Sequence, residues 1–331
     1  MNELSRLTNE DKDARERIES AAADMLARTC AWSDMNTGSW NIDGLNAFSG
    51  VLANAFSELD ADIRLQEAPG FDTIDSSGNV QTIHTAPILR ASARTAAPVQ
   101  VVLTGHYDTV FPKGTFEGVT DLGDGRFNGP GLADMKGGLC VMLEALKAFE
   151  AGPFRDRLGY QIVITPDEEI GNHASSAALT EAARSGAHIG MTYEPAMDTG
   201  AMAGGRKGSA VFDIVLHGKA AHAGRAKEEG RSATFNVGAI EGGGAVNIVP
   251  DLAIVRFGAR APDAAAAAWA TESVDRLFAH ATSRPGITGH VHGGFYRPPK
   301  PRNAAQQAIF SAVHATGQAI GLDLEFIDTG G

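Results

Sequence analysis

The chain has 331 residues, of which 43% are hydrophobic; this composition suits about two folded domains and excludes an intrinsically disordered protein. Its formal net charge is −12 and it contains no long basic run, which excludes partners that need a concentrated positive face, such as nucleic acids and anionic membranes. No apolar stretch approaches the roughly 18 residues of a membrane helix and the first residues are highly charged, so we expect a soluble, cytoplasmic protein.

The first 205 residues have the pattern of an α/β domain. Apolar residues recur at helical spacing in Ile18–Leu26 and in Leu45–Leu59, and Val101–Gly105 is a continuous apolar run typical of a strand buried on both faces. Strands that alternate with helices predict a mostly parallel central sheet. The other elements expected here are a helix from about Met135, a strand at Tyr160–Thr165, a helix at His173–Arg184 and a strand at Ile189–Tyr193.

The pattern changes after Gly205. Apolar and polar residues alternate from Phe212 to His217, which indicates a sheet with one face in water. We expect a small α+β domain inserted at residues 206–298, with the first domain formed by residues 1–205 and 299–331. The remaining expected elements are a strand region at Asn247–Ala259, a helix at Pro262–Ala279, a strand at Thr288–Phe295, a helix at Ala304–Ile320 and a strand at Leu322–Ile327.

His106 and Asp108 directly follow the first buried strand. Open α/β sheets bind their ligands at the carboxyl ends of strands. His106 could bind a metal through one ring nitrogen while Asp108 orients the ring. This spacing alone is equally typical of a capped loop histidine.

Asp134 lies among several glycines at the start of the helix expected from Met135. An acidic side chain at this place is typical of a helix cap, which is the structural alternative to a ligand role.

Three consecutive carboxylates, Asp167, Glu168 and Glu169, come just after a buried strand, and Glu194 follows the next strand. Adjacent like charges repel unless a cation lies among them. A divalent metal would satisfy the cluster, with one Glu as a ligand and its neighbour as a base.

Together these residues predict a site for two divalent ions bridged by a carboxylate. Nitrogen and oxygen ligands without thiolates favour zinc, with manganese or cobalt as alternatives. A pair of ions about 3.5–4 Å apart can hold a hydroxide and polarise a carbonyl, which is the chemistry of amide hydrolysis.

The same motifs, with Gly218–Gly224 added, resemble the M20 metallopeptidases, a family of glutamate carboxypeptidases, acetylornithine and succinyl-diaminopimelate deacylases and aminoacylases. The continuation Phe111–Phe116 is most similar to the glutamate-carboxypeptidase branch. The resemblance implies a zinc-peptidase catalytic domain with an inserted ferredoxin-like dimerisation domain, through which a homodimer would form.

The resemblance also implies roles for the clustered residues. Asp134 would bridge two zinc ions, with His106, Glu169 and Glu194 as further ligands, and a cis peptide bond would follow Asp134. Glu168 would be the general base, and Asp108 would orient His106.

Four more residues receive roles only through the resemblance. His222 would reach the partner subunit's active site and donate to the developing oxyanion, although its position alone is more typical of a structural histidine. Asn247 would make a second contact across subunits. Arg256 and Arg297 would grip a substrate carboxylate, with a surface salt bridge as an equal alternative for either.

Two features depart from the family pattern. The family's last metal ligand, a histidine, lies downstream of a Gly-rich turn in which this sequence stops at Gly331, and a long helix between Ala233 and Thr234 is missing. We therefore expect an incomplete or internally shortened version of a longer protein.

The leading functional hypothesis is a zinc-dependent hydrolase that releases a C-terminal, glutamate-like amino acid from a peptide or N-acyl amino acid. An N-acetyl or N-succinyl amino acid deacylase and a truncated, non-catalytic homologue are the alternatives.

Overall fold

The computed structural model describes residues 7–197, 199–217, 233–243, 250–300 and 302–329. Within these ranges the chain forms two compact units. The first unit contains the described residues up to Phe71 together with His84–Ala196, and the second contains Asp72–Ile83 and the described residues from Met197 onward. The division at residues 205 and 298 remains a prediction.

Seven α-helices and fifteen strands are found in the described part of the chain. The helices are α1 (Asn9–Ser20), α2 (Ala22–Ser33), α3 (Ile42–Phe56), α4 (Gly137–Glu150), α5 (Ser176–Arg184), α6 (Ala264–Thr282) and α7 (Ala304–Ala319). The strands are β1 (Asp62–Gln66), β2 (Phe71–Ile74), β3 (Val80–Ile83), β4 (Ile88–Ala93), β5 (Val99–His106), β6 (Thr120–Gly123), β7 (Arg126–Asn128), β8 (Leu158–Thr165), β9 (Ile189–Thr192), β10 (Met202–Arg206), β11 (Gly208–His217), β12 (Thr234–Gly242), β13 (Leu252–Ala261), β14 (Thr288–Arg297) and β15 (Phe326–Thr329).

The central sheet of the first unit has the order β1-β4-β8-β5-β9. Strand β5 is parallel to β8 and to β9, whereas β4 is antiparallel to both β1 and β8. The sheet is therefore mixed, and the prediction of a mostly parallel sheet is wrong. The connection from β4 to β5 is short, residues 94–98, and such a loop reverses the chain direction; a parallel arrangement needs a crossover of about a dozen residues or more.

Helices cover both faces of this sheet, as the continuous apolar run in β5 predicts. Leu103 lies in a buried cluster with Phe48 of α3 and Leu139 of α4. Its neighbour Val102 faces the opposite side and packs in a cluster with Ala178 of α5. Successive side chains of a strand point to opposite faces, and Val101, Val102 and Leu103 of β5 are all buried.

The second unit is built on an antiparallel sheet with the order β12-β13-β11-β14. Phe212 and Val274 of α6 belong to the buried cluster on one face. On the other face, Ile74 of the β2–β3 hairpin lies in a second cluster with Val215 and Ile254. This is a small α+β arrangement, while its ferredoxin-like classification and its dimerisation role remain predictions. Strands β10 and β15 form a separate parallel pair.

None of the helices in the described ranges combines the length and apolar character required to span a membrane.

Candidate metal centre

The parallel strands bring the predicted ligands to one edge of the central sheet. His106 is the last residue of β5 and is in register with Thr165, the last residue of β8. Thr104 is in register with Thr192, the last residue of β9. Because these strands run in the same direction, the loops that begin after them meet at this edge, and they carry Glu168, Glu169 and Glu194.

The side chains converge on His106. Its Nε2 atom lies 3.0 Å from Oδ1 of Asp134 and 3.7 Å from Oε2 of Glu194. One potential ligand group consists of His106, Asp134 and Glu169, and a second of His106, Glu168 and Glu194, with the ligand atoms in each group within 4.8 Å of one another. Because both groups contain His106, their nitrogen and oxygen atoms can surround either one ion or two neighbouring ions.

Asp134 lies in the segment Leu132–Lys136 that precedes α4, and its own backbone angles there, φ −118° and ψ 95°, are not helical. The peptide bond between Asp134 and Met135 is cis, as the family resemblance implies. Helix α4 begins at Gly137, and the Asp134 carboxylate contacts His106 at the edge of the sheet. The helix-cap alternative for Asp134 is therefore not what the structure shows.

Close packing of Gly138 sets the position of α4 against the loop that carries Glu194. A Cβ atom at Gly138 would overlap the carbonyl oxygen of Tyr193. Only glycine permits this approach between backbones. The two segments that carry Asp134 and Glu194 are thus in direct contact.

Asp108 is fully buried behind His106; its backbone carbonyl lies 3.0 Å from Nδ1 of His106, and its carboxylate accepts hydrogen bonds from two other parts of the chain. Its Oδ1 atom lies 3.3 Å from Nδ1 of His106 and accepts from the backbone N–H of Glu168 at 3.0 Å. Its Oδ2 atom accepts from the backbone N–H of Glu169 at 3.1 Å and from the Ser39 hydroxyl at 2.8 Å. The contacts to the two glutamates and to Ser39 are not evident from the sequence, because nothing in the spacing links these segments.

Asp167, the first of the three consecutive carboxylates, lies away from the cluster. It is fully buried and accepts hydrogen bonds from the backbone N–H of Ala174 at 2.7 Å and from the Ser175 hydroxyl. These contacts anchor the start of α5. Burial raises the pKa of Asp167, and the hydrogen bonds from Ser175 and Ala174 oppose that rise.

The electrostatics of the cluster indicate a place for a cation. Burial raises the pKa of Glu169 to about 7, and the charge of Asp134 adds to the rise. A hydrogen bond with His106 lowers the pKa of Asp134. Burial lowers the pKa of His106, but hydrogen bonds with Asp108, Asp134 and Glu194 outweigh it and raise this pKa overall. Several carboxylates around one imidazole carry excess negative charge, and this donor set fits zinc, manganese or cobalt.

The other predicted site residues lie in the second unit or outside the described ranges. The guanidinium of Arg256 pairs with Asp213 at 3.0 Å and with Glu241 at 3.2 Å. These contacts match the salt bridge that was the alternative to a substrate-binding role for this arginine. Arg297 is the last residue of β14. His222 and Asn247 fall outside the described residues.

A family model, peptidase family M20/M25/M40, matches residues 102–328. The chain belongs to this family. The matched region begins in β5 and contains every residue of the cluster around His106. The family resemblance of the motifs is thereby confirmed, and with it membership in a family of hydrolases.

Individual relatives are similar over part of their length. Carboxypeptidase G2 from Pseudomonas sp. (strain RS-16) is 33% identical over 135 residues, which are 40% of this chain and 32% of that protein. Succinyl-diaminopimelate desuccinylase 2 from Shewanella loihica is 31% identical over 136 residues, 38% of this chain and 36% of the relative. The chain thus spans about a third of the length of these curated relatives.

Human carnosine dipeptidase 1 has a similar fold, with a TM-score of 0.70 at 15% identity over 98% of this chain and 88% of that chain.

Proposed function

We propose that the chain is a metal-dependent hydrolase that cleaves an amide bond and releases a C-terminal amino acid from a peptide or N-acyl amino acid. The observation that carries this proposal is the convergence of His106, Asp134, Glu169 and Glu194 at one sheet edge, with Glu168 among them. Zinc is the metal we propose, in a pair, with cobalt or manganese as substitutes.

His106, Asp134, Glu169 and Glu194 would hold the metal. A divalent ion bound there supplies Lewis acidity toward the scissile carbonyl and toward water. Asp108 holds the imidazole of His106 and the backbone of both glutamates in place through its four contacts.

We assign the role of general base to Glu168. Its backbone is fixed by Asp108, and its carboxylate lies in the ligand group with His106 and Glu194 while remaining half-buried. In the proposed reaction this carboxylate takes a proton from the attacking water and transfers it to the leaving amine nitrogen. The scissile C–N bond then breaks, and the products are a carboxylic acid and a free amino acid.

The released amino acid is proposed to be glutamate-like. This rests on the similarity of the chain to a carboxypeptidase and on the chain's own Phe111–Phe116 segment, which resembles the glutamate-carboxypeptidase branch. Arg297 is the side chain we propose for its carboxylate. The similarity to a succinyl-diaminopimelate desuccinylase supports an N-acyl amino acid deacylase as the second candidate. A homodimer through the second unit is part of the same proposal.

A single substitution tests the chemistry. The variant Glu168→Gln should lose about 10²- to 10⁴-fold in kcat while its zinc content, measured by plasma mass spectrometry, stays at the parent level. The control is Glu181→Gln on α5, an exposed carboxylate paired with Arg90, which should keep parental turnover. A panel of N-acyl and peptide substrates separates the two candidates. Full turnover in Glu168→Gln, or none in the zinc-loaded parent on any amide of the panel, would contradict the proposal.

A further inference from the structure

Lys136 is buried two residues after the metal ligand Asp134, with 1% of its surface exposed. Lysine is rarely buried in this way unless it is paired with an acid. Within the described ranges Lys136 forms no ion pair, and its Nζ atom donates to the backbone carbonyls of Trp32 at 3.0 Å and Met35 at 2.8 Å. Nζ also lies 4.7 Å from the centre of the Phe48 ring. Both hydrogen bonds of this amino group are therefore made to the end of α2 and the residues just after it.

The end of a helix suits an amino group, because the last four carbonyls of an α-helix have no partner four residues on and carry the negative end of the helix dipole. A lysine can donate to these carbonyls. An amine and an ammonium both donate, so the link does not depend on the protonation of Lys136. Ser33 adds a second link, because its hydroxyl donates at 2.7 Å to the carbonyl of Pro130, just before the segment Leu132–Lys136. Two side chains thus join the end of α2 to the segment that carries Asp134.

The residues that follow α2 lead to the other side of the metal cluster. In this connector, residues 34–39, the Ser39 hydroxyl donates to Oδ2 of Asp108 at 2.8 Å. The Ser39 N–H donates to the Thr109 carbonyl at 3.1 Å. Oδ1 of the same Asp108 lies 3.3 Å from Nδ1 of His106. One end of the connector is therefore fixed to the segment before α4, and the other end to the carboxylate that supports His106.

We propose that Lys136 is a positioning residue of the metal centre, which sets Asp134 against His106 through this connector. The inference rests on the proposed function, because that function assigns a metal to these two ligands. The contacts form a closed ring. They run from Asp134 through Lys136 to the connector, from the connector through Asp108 to His106, and from His106 back to Asp134 at 3.0 Å. Release of one link lets the ring widen, so the spacing of the ligands changes although no ligand is removed.

Zinc affinity, measured by competition with a chelator, tests this role without turnover. Lys136→Met keeps an unbranched apolar chain and removes the donor, and we expect it to weaken zinc binding about tenfold. Ser33→Ala removes the second link by a smaller change and should weaken zinc binding about threefold. In cobalt-loaded chains the d–d absorption bands, which depend on ligand geometry, should shift in Lys136→Met. Parental zinc affinity in Lys136→Met, or in Ser33→Ala if only that variant folds, would overturn the proposal.

The matched control is Arg90→Met. Among the lysines and arginines of the described ranges, Arg90 is the other buried one, and it contacts Glu181 of α5 at 2.9 Å rather than any segment of the metal cluster. Its substitution should lower the free energy of unfolding and leave the zinc affinity and the cobalt spectrum of the folded chain unchanged. Equal losses of zinc affinity in Arg90→Met and Lys136→Met would mean that general destabilisation is responsible, and would overturn the positioning role.

Ser39→Ala releases the opposite end of the connector and tests whether Lys136 acts through it. Once Ser39 is gone, Lys136→Met has less left to release, so the combined loss of zinc affinity should be smaller than the product of the two separate losses. Losses that multiply would overturn action through the connector. A parent that binds no zinc would contradict the proposed function and this inference with it. A parent that binds zinc, with unchanged affinity in Lys136→Met, would overturn this inference alone.

Discussion

Asp108 connects more of the site than its predicted role suggests, because its buried carboxylate contacts His106, Ser39 and the backbones of Glu168 and Glu169. In Asp108→Asn, either orientation of the side-chain amide places its NH₂ group opposite hydrogen-bond donors. The carboxylate oxygen at that position accepted hydrogen bonds from those donors. Mutation of a residue that orients a metal ligand typically lowers metal affinity by about 10- to 100-fold. We therefore expect Asp108→Asn to weaken zinc binding by that factor, as measured by competition with a chelator.

Asp167→Asn is the matched control for this substitution. Asp167 is equally buried, in the loop after β8 that also carries Glu168 and Glu169, but its carboxylate accepts hydrogen bonds from Ala174 and Ser175 at the start of α5. Its loss should lower the free energy of unfolding by about 1–3 kcal/mol and leave the zinc affinity of the folded chain unchanged. Equal losses of zinc affinity in both variants would show that general loosening of the loop is responsible.

The raised pKa of Glu169 predicts that zinc binding depends on pH. Its pKa of about 7 in the folded chain lies above the ordinary value of 4.5. The folded state thus holds this proton more tightly, so the resulting stability is present below pH 4.5 and is lost as the pH rises through about 7. Zinc needs the deprotonated carboxylate. We expect the increase in Tm caused by zinc, relative to a chelator, to grow between about pH 5 and pH 8; an increase that is constant across this window would contradict the prediction.

The sequence was sufficient to predict the cluster but not the separate roles of adjacent carboxylates. His106, Glu169 and Glu194 follow parallel strands, whose carboxyl ends necessarily meet. Asp167 and Glu168 are neighbours of the same charge. What distinguishes them is the position of α5, whose first turn encloses Asp167, and that contact depends on packing.

At the scale of elements, the close approach of α4 to the Glu194 loop depends on Gly138. A methyl group there meets the Tyr193 carbonyl, a backbone atom that cannot turn away as a side chain would. Forced displacement of this kind costs about 1–3 kcal/mol. We expect Gly138→Ala to destabilise the first unit by this amount and to weaken zinc binding, measured by denaturant unfolding and chelator competition.

Gly50→Ala is the control for helix propensity. Gly50 is an exposed residue within α3, and a Cβ there would have no neighbour within 4 Å. Alanine should stabilise this helix by about 0.5–1 kcal/mol and leave zinc binding unchanged. Destabilisation by both substitutions would contradict the assignment of the Gly138 effect to the contact with Tyr193.

Elements with a strong apolar pattern were predicted, and those with a broken pattern were not. Strands β5, β8 and β9 carry continuous or nearly continuous apolar runs. Strand β4 was missed because Arg90 interrupts its run, although this arginine is buried and pairs with Glu181 at 2.9 Å. Strand β1 was missed because it lies at the sheet edge, where most of its residues are exposed. Without these two strands the sequence suggested a mostly parallel sheet.

For the whole molecule, two units with separate buried clusters predict that zinc stabilises one of them selectively. Every described candidate ligand lies in the first unit. A ligand at 100 times its Kd stabilises the folded form by about 2.7 kcal/mol. We expect zinc to stabilise the first unit by that free energy, and so to raise its Tm, and to leave the Tm of the second unit unchanged.

The tryptophans make this selectivity measurable. Trp32 and Trp40 belong to the first unit and Trp269 to the second. In Trp269→Phe the fluorescence reports the first unit alone, and a variant with Trp32→Phe and Trp40→Phe reports the second. Zinc should shift the melting curve of the former and not that of the latter. A matching shift in both would mean that the units unfold together or that the second unit supplies a ligand, and either result would contradict selective stabilisation of the first unit.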